Sequence, residues 1–113
     1  MNDVHVFELH AELCRALGHS ARLQLVHMLR EGPLCVSELA HMSGLGQGTV
    51  SRHLAVLRNC GILSVQQRGR ETHYQISDPR IMEICDLMRV ILVEQLMKQS
   101  EVLKSLDIKG ETE

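Results

Sequence analysis

A chain of 113 residues with a formal net charge of -2 has room for one small domain, which by itself buries only part of its surface. One Phe, one Tyr and no Trp in a chain that is 44% hydrophobic leave an aliphatic, Met-filled core, which suits helices and argues against a β-sandwich. No apolar run reaches the roughly 18 residues of a membrane span, and the N-terminus lacks the pattern of a signal peptide. A cytoplasmic protein is expected, with Cys14, Cys35, Cys60 and Cys85 as reduced thiols.

The first expected helix covers residues 4–17, where Val6, Phe7, His10, Leu13, Cys14 and Leu17 recur at three- and four-residue steps until Gly18. Ser20 is the expected N-cap of a second helix over residues 21–30, with Leu23, Val26 and Leu29 inward and Gly32-Pro33 as its end. Val36, Leu39 and Ala40 mark one face of a short third helix. Gly44, Gly46 and Gly48 mark a turn, and Val50, Leu54 and Leu57 follow at the i, i+4, i+7 spacing of a fourth helix. Two short helices joined through Gly are the helix-turn-helix signature, whose second helix enters the DNA major groove. That helix offers Gln47, Thr49, Ser51 and Arg52 on its outer face.

After Cys60-Gly61, residues 62–76 change to two β-rich runs around Arg68-Gly69-Arg70, a hairpin signal with Gly69 in the turn. A hairpin placed directly after the reading helix is a wing, and arginines at its tip reach phosphates or the adjacent minor groove. Ser77 or Asp78 caps a last helix with Pro79 in its first turn. Its pattern of Ile81, Ile84, Cys85, Met88, Ile91 and Leu92 continues weakly through Val102 and Leu106. Such a helix runs roughly 40 Å, more than one small domain covers, so its stripe is expected to pack against a second copy. The whole of residues 1–113 is expected to form a single DNA-binding and dimerisation domain, with a polar tail fraying from about residue 107.

Charge is unevenly distributed. From Leu39 to Arg70 there is no Asp or Glu, while Arg52, Arg58, Arg68 and Arg70 fall in that window together with His41 and His53. A locally basic face on an otherwise acidic chain is the footprint of a specific DNA binder. No Ser-His-Asp order, glycine-rich phosphate loop or paired catalytic carboxylates stand out, so no enzyme is expected.

Five segments, ALGHSARLQLV at 16–26, CVSELA at 35–40, SRHLAVLR at 51–58, GIL at 61–63 and YQISD at 74–78, together resemble the ArsR/SmtB family of bacterial winged-helix repressors. The resemblance covers nearly the whole chain. It implies a mainly α winged helix-turn-helix with a small β-hairpin, dimerised through its terminal helices. It also implies a homodimer that blocks double-stranded operator DNA and leaves it when an inducer binds. In the family the inducer is commonly a metal ion or arsenical, in some cases a reactive sulfur or oxidising species. By resemblance Gln47, Thr49, Ser51 and Arg52 lie on the DNA-contacting face and Arg68 and Arg70 on the wing, with Gly46 and Gly48 where relatives often carry hydroxyls. His53 looks like a structural position behind the groove face.

The family's sensor sites match unevenly. For its zinc-type site on the last helices, Asp78 and Glu94 fit, but Arg80 and Ile91 occupy the two histidine positions and neither is a ligand, so that site is not expected. For its thiolate site at the start of the helix before the turn, Cys35 matches the first cysteine and Ser37 replaces the second. Cys35 also sits at a helix start, where the dipole favours the thiolate. Cys60 matches a ligand of a cadmium and lead sensing branch whose companion cysteine is Val56 here. Cys14 lies on the apolar face of the first helix, where a core role is expected, and Cys85, on the stripe of the last helix, is open between packing and a thiol switch. His5 and His10 could add ligands, whereas His19, His27, His41 and His73 show no ligand spacing and are expected to be structural or solvated. The six methionines read as core filler, not as a copper site.

The function expected on these grounds is that of an inducer-responsive repressor, released from a palindromic operator by a thiophilic metal ion or arsenical held by cysteines. A repressor switched by cysteine oxidation or persulfidation, and a winged-helix module used for protein contacts, stay open as alternatives.

Overall fold

The computed structural model describes the backbone from Asp3 to Glu111 and the side chains through Leu106. In chain order it contains α1 (Asp3–Leu17), α2 (Ser20–Met28) with a closing 3-10 turn (Leu29–Glu31), β1 (Leu34–Cys35), α3 (Val36–Ser43), α4 (Gln47–Asn59), β2 (Leu63–Arg68), β3 (Glu71–Ile76) and α5 (Arg80–Glu111). The described residues divide into two compact units, one through Met82 and one from Glu83 onward.

The core of the first unit is built from the apolar stripes of α2, α3 and α4. Leu25 and Val26 of α2, Leu39 of α3, and Val50, Leu54 and Leu57 of α4 are fully buried, joined by Leu29, Ala40, Ile62, Leu63 and Ala16. Leu23, expected inward, is 39% exposed; Leu25 takes the inward place next to Val26. His19, not Ser20, caps α2: its Nδ1 accepts the Ala21 N–H at 3.2 Å, and Ser20 is already the first helical residue. An imidazole nitrogen here does what a hydroxyl does at most helix starts. Gly44 ends α3 in the left-handed region at φ +75°, its N–H on the Ala40 carbonyl at 2.9 Å, which lets α4 start at a new angle.

The wing is part of a three-stranded antiparallel sheet in the order β1-β3-β2. β2 and β3 pair from Leu63↔Ile76 to Arg68↔Glu71, leaving Gly69 and Arg70 as a two-residue loop. Gly69 at φ +62° with no positive φ at Arg70 is the pattern of a type II′ hairpin turn. The third strand was not expected: Leu34 pairs with Tyr74 and Cys35 with His73. Tyr74, Ile76, Ile81 and Met82 lean on the core.

Two apolar surfaces remain open. On α1, Val4, Val6, Phe7, Leu9 and Leu13 are 40% exposed or more, and Cys14 is exposed as well, contrary to its expected core position. The periodicity of α1 is real, but of this helix only Ala16 is buried. The second unit is the body of α5, a helix of 32 residues and thus about 48 Å long. Ile84, Leu87, Met88, Val90, Ile91, Leu92, Leu96, Val102 and Leu106 are all exposed along it. Its backbone stays helical through Glu111, beyond the expected start of the tail; Thr112 and Glu113 lie outside the described residues.

The start of α5 is fastened by one residue. Asp78 Oδ1 accepts the Arg80 backbone N–H at 2.9 Å and Oδ2 takes the Arg80 guanidinium at 2.7 Å. The guanidinium, then the N–H, hold the Asp78 carboxyl down at about 2. Because this lies below the unfolded value of about 3.9, its contribution to stability is complete above that pH and lost as pH falls through the folded value. Carboxyl-carbon NMR should place the Asp78 midpoint near 2 in the native chain, and higher, towards the ordinary aspartate range, in Arg80→Ala. In the core, Leu54→Ala removes a side chain with no exposed surface and should lower the unfolding free energy by roughly 2–5 kcal/mol, read by denaturant titration at fixed protein concentration.

Candidate nucleic-acid interface and sensor cluster

Burial of Val50, Leu54 and Leu57 rotates the opposite face of α4 outward, so that Gln47, Ser51 and Arg52 are exposed and Thr49 is half-buried. Arg52 donates from Nη2 to Thr49 Oγ1 at 3.2 Å, which steadies the guanidinium over the helix surface. Gly46 is the N-cap and carries no side-chain cap. A Cβ at Gly46 would meet nothing and one at Gly48 only Arg52 Nη1 at 3.9 Å, so the fold itself does not demand glycine at either position. Bare backbone at the N-terminus of a helix is suited to phosphate approach. His53 is half-buried behind this face, its ring 4.6 Å from that of His19 at 54°. Burial, followed by the charges of His19, Arg22 and Arg52, pushes the His53 pKa down, which keeps the ring neutral.

At the wing, Arg68 and Arg70 are exposed. Arg68 Nε donates to Gln66 Oε1 at 3.0 Å, Gln67 Nε2 to the Gly69 carbonyl at 3.3 Å, and Thr72 Oγ1 to Gln67 Oε1 at 3.0 Å. The tip is therefore a polar, internally braced hairpin with two guanidinium groups on it.

Cys35 is 7% exposed at the junction of β1 and α3. Its partner across the sheet is His73, and facing residues of an antiparallel pair share one side of the sheet. Glu38, three residues into α3, turns back so that its Oε1 accepts the Cys35 N–H at 3.2 Å. The same oxygen lies 3.7 Å from His73 Nε2, and Glu71 Oε2 lies 3.9 Å from that nitrogen. One ligand atom each from Cys35, Glu38 and His73 thus falls within 4.8 Å of the others. Ser37 Oγ is 3.3 Å from the Cys35 sulfur. The hydrogen bonds from the Cys35 side chain and N–H, reinforced by His73 and Arg68, hold the Glu38 carboxyl below its ordinary range despite an opposing desolvation effect. His73 Nδ1 is buried with no hydrogen-bond partner.

Glu38 and His73 were not singled out as ligands in the sequence, and His73 is no solvated bystander, with its side chain 12% exposed. The available signal was a Glu three residues after a helix-start Cys; nothing in the spacing pointed to His73. Cys35 is the one cysteine of the four in this cluster, and all four are free thiols. Cys60, half-buried at the C-cap of α4, donates to the Leu57 carbonyl at 3.4 Å and lines an open cleft of about 410 Å³ with Glu12, Arg15 and Arg22. Cys85 is 8% exposed, and burial pushes its thiol pKa up. At the positions of the zinc-type site, Asp78 is engaged by Arg80.

Residues 19–65 match the profile of the bacterial regulatory proteins of the arsR family. Over 111 residues the chain is 31% identical to Rv0081 of Mycobacterium tuberculosis, an uncharacterized HTH-type transcriptional regulator, with 97% of each chain covered. Over 84 residues it is 31% identical to a probable mercury resistance operon repressor of Streptomyces lividans, covering 74% of this chain and 67% of that one. The crystal structure of Rv0081 superposes with a TM-score of 0.76 at 30% identity, over 83% of this chain and 95% of the other. Among the described residues no helix is long and apolar enough to cross a membrane. A helix-turn-helix with an outward basic face, an arginine-tipped wing behind it and relatives of this kind along the length of the chain have one reading: the chain belongs to the ArsR family and is a DNA-binding transcriptional repressor, not an enzyme.

Proposed function

We propose that the chain acts as a homodimer on a palindromic operator and leaves it when a thiophilic metal ion or arsenical is bound through cysteine, with Cys35 as the principal thiol. The observation that carries this reading is the place of Cys35: it is the N-cap of α3, which packs on the reading helix α4, and it pairs with His73 of the wing strand β3. A ligand there would touch the wing strand directly and the reading helix through α3. The S. lividans relative, by its name a mercury resistance repressor, supports a soft ion as the signal. The open apolar faces of α1 and of α5 support a second copy as their cover, since exposed surface of this extent marks an interaction site. Residues 1–113 then act as one DNA-binding and dimerisation domain.

In the DNA-bound form Gln47, Thr49, Ser51 and Arg52 face base edges and Arg68 and Arg70 meet the backbone, with half-sites about one helical turn apart. Release is a population shift: the inducer favours a dimer geometry in which the two α4 helices no longer match successive grooves, and coupling of about 1–3 kcal/mol suffices. A second reading, switching by thiol oxidation or persulfidation, is favoured by Cys60, which is partly exposed in a cleft with Arg15 and Arg22. Cys85, buried and with a raised pKa, is a poor thiolate for that chemistry.

Operator anisotropy with the reduced dimer, adding arsenite, cadmium, zinc and a persulfide donor in turn, separates the two. Soft metal should release the native protein and fail on Cys35→Ser, with chelator restoring binding; release by the persulfide donor alone moves the switch to redox chemistry. Arg68→Ala and Arg70→Ala should weaken binding to all duplexes alike and each lower the slope of log K against log salt by about 1. A binding constant insensitive to salt would return the fold to the class of protein-contact modules.

A further inference from the structure

We infer that Cys35, Glu38 and His73 of one protomer form a mixed sulfur, oxygen and nitrogen site for a divalent cation of the zinc class, tying the start of α3 to the wing strand. The inference rests on the reading of Cys35 as the sensing thiol and deepens it by naming the other donors and the class of ion.

The three groups converge through backbone constraints. Strand pairing sets Cys35 opposite His73, and the reach of Glu38 to the Cys35 N–H swings a carboxylate over the same spot. Ligand atoms on a tetrahedral zinc ion, bound at about 2.0–2.3 Å, stand roughly 3.3–3.8 Å apart. The 4.8 Å limit within which these atoms already lie leaves about 1 Å to close. Glu38, with half of its side chain exposed, can supply that movement. The His73 ring already stands beside the carboxylate, its Nε2 3.7 Å from Glu38 Oε1, and its side chain is 12% exposed. Three protein donors leave a fourth position for water, as in open zinc sites.

The donor set also ranks the ions within the thiophilic class. One thiolate with a carboxylate and an imidazole suits the borderline cations of that class, whereas arsenite or mercury at Cys35 would call on further thiolates in place of Glu38 and His73. Binding exchanges the Cys35 thiol proton for the metal–sulfur bond and draws Glu38 from its capping position, so it acts on both the first turn of α3 and the register of β3.

Cobalt(II), the spectroscopic stand-in for zinc, titrated into the reduced full-length protein tests the site. The native chain should bind one ion per protomer with a near-ultraviolet thiolate-to-metal band and intense visible bands of four-coordination, displaced by zinc. The thiolate band should vanish in Cys35→Ser, and affinity should fall more than about tenfold in His73→Gln and in Glu38→Gln. Ring-nitrogen NMR of the native protein adds a readout independent of variant folding, in which zinc shifts the His73 resonances. Unshifted His73 resonances, or undiminished cobalt affinity in both His73→Gln and Glu38→Gln, would overturn the site while leaving Cys35 free to act with other thiolates. An ion bound by these three residues that does not release the operator would support the site and defeat the release reading instead.

Discussion

Two residues of strand hold the wing to the helix-turn-helix. A two-stranded hairpin is at best marginally stable in water by itself, and β2–β3 gains its third strand from Leu34 and Cys35. That pairing sets Tyr74 beside Leu34 and helps lean the hairpin on the core shared by α2, α3 and α4. The orientation of Arg68 and Arg70 relative to the outer face of α4 follows from it together with the burial of Ile62 and Leu63 at the root of β2. The same pairing sets His73 against Cys35. A contact that helps set the wing against α4 and the contact that assembles the candidate cluster are therefore one contact.

The parts of the fold legible in the sequence are those where a side-chain period or a turn residue is forced by burial. Val50, Leu54 and Leu57 read as an inward stripe and have no exposed surface; Gly69 read as the hairpin turn and has the positive φ that turn requires. Periodicity tells which residues share a face and not what covers that face. This is why Phe7, Leu13 and Cys14 keep their spacing yet stay exposed. On α2 and its closing turn the apolar residues Leu23, Leu25, Val26 and Leu29 crowd several directions, and packing into the shared core chose Leu25 over Leu23. β1 is too short to have a period at all.

The candidate cluster was legible to the same degree. Cys35 stands out because a cysteine at a helix start is visible from local sequence alone. Glu38 is visible as a capping residue, but its second role depends on what lies across the sheet. His73 depends wholly on the β1–β3 register, a long-range pairing that no local pattern encodes. The His19 cap is a further case: the backbone N–H needed an acceptor, and the ring that also lies tilted against His53 supplied it.

Charge then constrains how a cation could work here. The window without acidic residues ends at Glu38 on one side and at Glu71 on the other, and both carboxylates come to the His73 ring. The basic face is thus edged by a small negative spot, close enough that the Arg68 charge helps hold Glu38 ionised. A divalent ion bound there adds positive charge next to the wing even after Cys35 gives up its proton, and by Coulomb attraction alone that strengthens the hold on phosphate. On the proposed reading, release of the operator would therefore have to come from shape. The ion would have to move the first turn of α3 or the root of β3 far enough that the loss of groove fit outweighs the gain in attraction. The two-residue pairing of β1 with β3 is where so small a displacement would act on α4, through α3, and on the wing together.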